Sequence, residues 1–528
     1  MRKMSFSLLV SLLLGSSISS GCASVQEQEA RQAFQSQTDL FPELNGQNPD
    51  DKEGFEEKEI QKRASVQQRS QLDLEKGLPA YLEHAMQKSP RLRSSFEQWR
   101  ASILHISSAR KLPEPQLVLS VALLPVETRV GPQWGKVRLQ QSFPWPTKLL
   151  AGADAASAEA RSNQELFQAE ILALNAEVQN AYWNLWELRR THMLHKSHVA
   201  LLQSLASSTR ARLITGKVTL AELQQIDLAS ARVADMLSRM LEEERVAIAR
   251  LRAVIGDSSS RPLPTPGQPQ KAALPKEGRS ALAKSVREHP LLLALFWKAI
   301  AFENAAEQEG AARFPSFTLA ADWMVTGPAS AANDPDSGKQ AVFIGVGVQL
   351  PVWQNVYADR VASKRAQQRS ELARRQAAIF SALALLEKNL SQVREAHRRI
   401  GFYQHTLVPQ AESAFASVLG AFATGQGSVA QTLIAQRELL DLRVELEKAK
   451  ASYARGWAQL EGGVGREVER SSQPVQKENV ASATSKAVDD DKRQTQTPTP
   501  SPAERAATVE SAQPEQVTSK LNGGSNGP

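Results

Sequence analysis

Residues 136–150 read KVRLQQSFPWPTKLL. From Lys136 to Phe143 the chain alternates, with Val137, Leu139 and Phe143 on one side and Lys136, Arg138, Gln140 and Ser142 on the other. That period of two is a half-buried strand. Pro144-Trp145-Pro146 ends it, and Pro146 is placed to open a helix at its first position. Some 207 residues later the same grammar returns. Val342, Ile344, Val346, Val348 and Leu350 form another apolar face, and Pro351-Val352-Trp353 again precedes a helical pattern.

Working outward, the flanking segments repeat as well. AMQKSP at 85–90 matches SVREHP at 285–290; Leu112-Pro113 matches Phe314-Pro315; Thr215-Gly216 matches Thr424-Gly425; the run 251–256 matches 460–465. The offsets grow only from 200 to 209, so one module of roughly 180 residues occurs twice. Each copy reads as helix, two strands, very long helix, tight turn and returning helix. The strands are expected at about 116–124 and 136–143 in repeat 1 (71–256), and at about 316–325 and 341–350 in repeat 2 (279–465). In the second repeat Phe317, Leu319, Ala321, Trp323 and Val325 oppose Ser316, Thr318 and Asp322.

The long helix of repeat 1 is expected from about 147 to 214, with an apolar seam of Ile171, Leu174, Val178, Ala181, Leu185 and Leu188 in steps of three and four. Ile379, Leu383, Leu386, Leu390 and Val393 continue the pattern in repeat 2. The flanking helices, about 78–112 and 219–255, together match the long helix in length, so two short helices stacked end to end would line one long one. The turns between long and returning helices read ITGKVT and ATGQGS; Thr219 and Ser428 are placed to cap the returning helices.

The ends differ from the middle. Residues 1–22 have Arg2 and Lys3 before a short apolar run and small residues, the form of a signal peptide. Cys22, the single cysteine, stands at the cleavage point, which resembles a bacterial lipoprotein signal with lipid on that cysteine; ordinary cleavage near Ala23 would leave no anchor. Residues 23–70 and 466–528 are polar and poor in large apolar groups, and are expected to be disordered. Residues 257–278 form a Pro-rich linker. The chain of 528 residues has net charge +7, with +10 in 71–465 interspersed with acids, which reads as solvated helix surface and not as a nucleic-acid stripe. One cysteine excludes a disulfide framework.

No stretch offers 18 uninterrupted apolar residues, so any membrane crossing must be made by strands. Four strands cannot close a spanning barrel, which needs about eight or more. The strands must then be shared, eight in a dimer or twelve in a trimer. An ordinary half-buried soluble sheet is the alternative at this point.

With the duplicated module, the segment SFPWPTKLL and the glycine turns in hand, residues 71–465 resemble the TolC-like outer-membrane efflux proteins. KLPEPQLVLSVALLP at 111–125, followed by SFPWPTKLL, looks closest to the branch that serves heavy-metal and drug pumps of the resistance–nodulation–division type. The resemblance implies a mainly α fold with a small antiparallel β part, and a homotrimer carrying a 12-stranded barrel on a helical barrel. It implies partners as well: a periplasmic membrane-fusion adaptor, an inner-membrane pump and outer-membrane lipid, held in a Gram-negative outer membrane through a lipid at Cys22, palmitate included. A duct for a type I protein secretion system and a lipid-anchored coiled-coil scaffold without a pore are the alternatives.

The mechanism implied is passive conduction, with opening at the helix tips when the adaptor docks. Leu213, Gly216, Val218, Thr219 and Leu220 in the first turn, and Gly425, Ser428, Val429 and Leu433 in the second, are the docking candidates. Family members often carry acidic residues just after the second turn; here Gln431 and Ile434 stand there, leaving Glu222 and Gln431 as constriction candidates. His192 and His195, with His198, are weak metal candidates, because spacing of i, i+3, i+6 spreads the rings around the helix. No cofactor is implied. There is no phosphate loop, HExxH pair or GxSxG elbow, so no enzymatic activity is expected.

Overall fold

A computed structural model describes residues 25–37, 74–330 and 335–471. These lie in one compact unit, 1–472. The expected signal peptide with Cys22, the stretch 38–73 and the tail from 472 onward fall outside the described residues.

Repeat 1 contains α2 (Leu78–Lys88), α3 (Pro90–Arg110), β1 (Gln116–Val126), β2 (Gln133–Phe143), α4 (Pro146–Ile214) and α5 (Leu220–Ile255). Repeat 2 contains α6 (Arg279–Arg287), α7 (Pro290–Ala311), β3 (Ser316–Thr326), β4 (Ala341–Gln349), α8 (Gln354–Phe402), α9 (Val408–Thr424) and α10 (Val429–Val464). Ahead of both lies α1 (Val25–Gln37). The fold is mainly α with one small antiparallel sheet. None of the helices among the described residues is long and apolar enough to cross a membrane.

Four details depart from the sequence reading, each for a physical reason. The first flanking helix does not run unbroken from 78 to 112: Ser89 is extended, its Oγ caps Leu92 N, and Pro90 starts a second helix. His289-Pro290 does the same in repeat 2, with His289 Nδ1 accepting from Leu291 N. The long helix of repeat 2 passes through a π turn, Tyr403–Leu407, directly ahead of Pro409. A proline ring collides with the carbonyl four residues back, here His405, and a widened turn relieves the collision.

The third departure is α1, within the span expected to be disordered. Ala30 and Phe34, one helical turn apart, supply the apolar contact. Phe34 stacks on Phe96 at 5.6 Å and meets Trp99 edge-on at 5.1 Å. Arg161 pairs with Glu29, and Gln168 Nε2 donates to Gln37 Oε1. Composition counts too few apolar groups over 23–70, whereas two at the right spacing suffice to dock one short helix.

The fourth is the start of the tail. Residues 466–471 pair with the Pro-rich linker: Lys276 N donates to Glu469 O and Ser471 N to Leu274 O. Arg466 holds Glu277, and Arg470 lies 4.5 Å from the Trp457 ring centroid. The linker itself is tied down by tyrosines. Tyr182 Oη accepts from Gly267 N, and Tyr453 Oη bonds both the N–H and the carbonyl of Ala273.

α4 packs closely on α7, and both helices bury small residues along this stretch, Ala151, Gly152, Ala153 and Ala158 in α4 and Ala294, Ala299, Ala301 and Ala306 in α7. Small side chains let the two backbones approach closely, and Ser162 Oγ reaches across to Ala294 O at 2.9 Å. Farther along, α4 meets α10 through ion pairs, Glu187–Arg455 at 2.7 Å and Arg190–Glu447 at 3.3 Å. The expected apolar seams are where α4 and α8 bury their side chains, with Leu174, Val178, Leu185, Leu386, Leu390 and Val393 all buried.

Candidate functional site

Two regions carry the possible function: the sheet, and the two helix tips. The sheet runs β1-β2-β3-β4, antiparallel throughout, and the β2–β3 pair joins the repeats. Opposed residues in an antiparallel pair share a face. Leu117 opposes Leu139, which opposes Ala321, which opposes Ile344; Leu119, Val137, Trp323 and Val342 form the next row. This face is apolar apart from Gln141, whereas the opposite face is mixed, with Val118 and Phe343 in the same row as Arg138 and Asp322. The other face carries Gln116 bonded to Gln140 at 2.7 Å, Ser142 with Thr318 at 3.2 Å and Ser316 with Gln349 at 3.1 Å. At its centre Arg138 grips Asp322 with two hydrogen bonds, 2.7 and 3.1 Å, and Lys136 Nζ lies 3.8 Å from the same carboxylate.

In this single chain the apolar face has no cover. Val121 is 80% and Ile344 72% exposed. Among the described residues, β1 and β4 have one neighbouring strand each, so each leaves a row of backbone N–H and C=O groups free.

The tips are built by helix-terminating chemistry. At the first, Gly216 has φ +68°; its N–H bonds Leu213 O, and Lys217 N bonds Arg212 O, which is a Schellman motif. At the second, Gly425 has φ +83°, with Gly425 N to Phe422 O and Gln426 N to Ala421 O, the same motif. A Cβ at either glycine would meet nothing within 4 Å, so the left-handed backbone alone calls for glycine there. Thr219 and Ser428 cap the returning helices, accepting from Glu222 N at 3.3 Å and Gln431 N at 3.2 Å.

The caps differ in their return bond. The Glu222 carboxylate reaches back to Thr219 N at 2.9 Å and closes a capping box. Gln431, at the same position, is exposed and makes no such return. The two constriction candidates thus sit at equivalent cap positions, with Glu222 already engaged by its own helix.

The docking candidates separate into two groups. Val429 is fully buried, and Leu213 and Leu433 pack against the same small core of Leu202, Leu205, Leu223, Ile226 and Phe422. Gly216, Thr219, Leu220 and Gly425 are exposed; Val218 and Ser428 are half-buried. The sequence reading passed over Ile214, 87% exposed at the very end of α4, and gave no docking role to Ile434, 70% exposed.

It also passed over Arg212. This guanidinium crosses from the first tip to the second, donating to Phe422 O at 2.6 Å and Ala423 O at 2.8 Å. Its carbon lies 4.3 Å from the centroid of the buried Phe422 ring. A cation over the last carbonyls of α9 satisfies acceptors that the helix itself cannot, and it meets the negative end of the dipole. The available signal was a basic residue in the last turn of α4, but its partner lies 210 residues away.

Of the histidines, His195 is buried in the α4 seam and burial pushes its pKa below the ordinary value; Asp441 opposes that shift, while Lys448 and His192 add to it. Burial lowers His198 likewise. His192 and His195 belong to no group of three or more side chains able to hold a metal ion among the described residues.

Comparison with known proteins gives a consistent picture. The family model described as outer membrane efflux protein matches residues 282–466. The outer membrane efflux protein BepC of Brucella suis is 25% identical over 292 residues, 52% of this chain, and the match spans 60% of that relative's length. A membrane protein from Pseudomonas aeruginosa superposes with TM-score 0.64 at 17% identity, over 73% of this chain and 92% of that one. The outer membrane protein VceC from Vibrio cholerae superposes with TM-score 0.62 at 20% identity, over 74% and 97%. At these identities the two structures establish the shared fold.

Proposed function

We propose that this chain, whose residues 282–466 match the outer membrane efflux protein family and whose fold is that of outer-membrane channels, is the outer-membrane duct of a tripartite efflux system. The observation that carries the proposal is the sheet. One almost wholly apolar face, an opposite face that carries all the ionisable groups of the paired strands, and two open edges are what a segment of a membrane barrel needs. Three copies joined edge to edge give twelve strands, with the apolar face toward lipid and the polar face toward water. A pore-free coiled-coil scaffold would leave the apolar face without a purpose.

In this reading β2 and β4 each pass directly into a long helix, so the barrel continues into a wall of helices ending at the two tips. The duct performs no chemistry. Solute moves through it passively, driven by an inner-membrane pump, and a periplasmic adaptor meets the exposed apolar residues Ile214, Leu220 and Ile434. A lipid on Cys22 would add a second hold on the membrane. Cys22 lies three residues ahead of α1, which is bound to α3 and α4, so the anchor would be tied to the helical body. The cargo is a small molecule in this proposal, a drug or a metal ion.

The test is purification from the outer-membrane fraction followed by mass measurement and planar-bilayer recording. A three-chain particle that inserts and conducts is the expected result. A soluble single chain that never conducts would sink the proposal. Deleting the gene and scoring sensitivity to metals, dyes and antibiotics then identifies the cargo.

A further inference from the structure

The polar face of the sheet is sparsely charged, and unevenly. Across the paired positions of the four strands its ionisable side chains are Lys136, Arg138 and Asp322. Arg138 and Asp322 cancel in a two-bond pair. Lys136, 3.8 Å from an oxygen that Arg138 already holds, remains as one uncompensated positive charge per chain. The remaining polar groups of this face, the glutamines, serines and threonine, are neutral.

Beyond the sheet the two long helices differ. The first part of α8, which follows β4, carries Arg360, Lys364, Arg365, Arg369, Arg374 and Arg375 against Asp359 and Glu371, with Arg360 paired to Glu309 and Arg374 to Glu371. The first part of α4, which follows β2, carries Lys148 and Arg161 against Asp154, Glu159, Glu165 and Glu170. At the far end, the second tip from Thr424 to Ile434 contains no ionisable side chain, and the first carries Lys217 and the capping carboxylate of Glu222.

We infer that the duct favours anionic and neutral solutes over metal cations, and that the excess charge of Lys136 in the barrel lumen sets this preference. The inference rests on the proposed barrel, with polar faces turned inward, and deepens it by naming the class of cargo. Three such charges at one level of the lumen set up a positive potential there, raise the local concentration of anions and lower that of cations. Asp322 is shared between Arg138, through two hydrogen bonds, and Lys136, at 3.8 Å, so the three groups together present one net positive charge to the lumen.

The test is reversal potential in a KCl gradient across a planar bilayer, for the full chain and for K136Q, K136E and D322N. The wild-type channel should pass chloride over potassium. The preference should rise in D322N, fall in K136Q and invert in K136E, each step by at least roughly twofold in permeability ratio. It should also fade in concentrated salt, where the screening length shrinks to about 3 Å. If D322N disturbs the sheet and fails to insert, the two substitutions at Lys136 still decide the matter. Channels whose selectivity is indifferent to residue 136, or a wild type that prefers potassium, overturn this inference and leave the duct standing. Failure of the wild type to conduct overturns both.

Discussion

The two tips of one chain solve the same problem with different thoroughness. Both end a long helix in a Schellman motif around a left-handed glycine, and both restart with a hydroxyl cap. The first adds a return bond from Glu222 and sends out Arg212; the second lacks the return bond and receives the arginine on its last carbonyls. One tip is therefore closed by its own residues, and the other is completed by its neighbour. The pair shares one small apolar core, which takes Phe422 and Val429 from the second tip and Leu205, Leu223 and Ile226 from the first. An adaptor meeting this end would find two turns held in register, not two independent loops.

Removing the bridge should break that arrangement most. Arg212→Ala deletes two charge-assisted hydrogen bonds and the cover on the Phe422 ring, and should cost the paired tips about 2–3 kcal/mol. Amide hydrogen exchange reads the loss: protection should fall around 420–433 more than around 213–226, because the second tip is the dependent one. Equal loss at both tips would refute the asymmetry. Next in size is the glycine pair. Gly216→Ala and Gly425→Ala each force a side chain into a left-handed backbone, at about 1–2 kcal/mol. Since a Cβ at either site touches nothing, the two penalties should agree, measured as the change in local exchange at each turn. A clearly larger penalty at one site would reveal a contact made only in the assembly.

How much of this was open to reading follows from the range of the interactions. The strand faces were legible because period-two alternation in 136–143, 317–325 and 342–350 is a local signal, and the register aligned those faces into one. The turn glycines and the caps Thr219 and Ser428 were legible because a helix stop acts over a few residues. Arg212 was not, since its acceptors are backbone carbonyls that any sequence would supply. Nor was the seating of 466–471, whose main-chain bonds to Leu274 and Lys276 leave no compositional trace. The docking candidates show a mixture. Val429 was chosen from its place in the turn, yet it lies in the shared core, while Ile214, at the end of α4, is the residue left exposed.

The finest test of the difference lies in the caps. Thr219→Ala and Ser428→Ala should each cost about 1 kcal/mol, but for unlike reasons. At the first tip the substitution also strips Glu222 of its hydroxyl partner, leaving the carboxylate on Thr219 N alone. At the second it removes a single acceptor from Gln431 N. The converse change is more telling. Gln431→Glu installs the acid that the first tip already has, where it can accept from the N–H of Ser428 and meet the positive end of the α10 dipole. It should protect the second turn by roughly 0.5 kcal/mol, read as slower exchange of the amides from Ser428 to Thr432. If the gain appears in the wild-type background and persists in Arg212→Ala, cap and bridge act independently and the second tip can be closed from within. If it appears only when Arg212 is present, the arginine orders the turn before the cap can form, and the dependence of one tip on the other is complete.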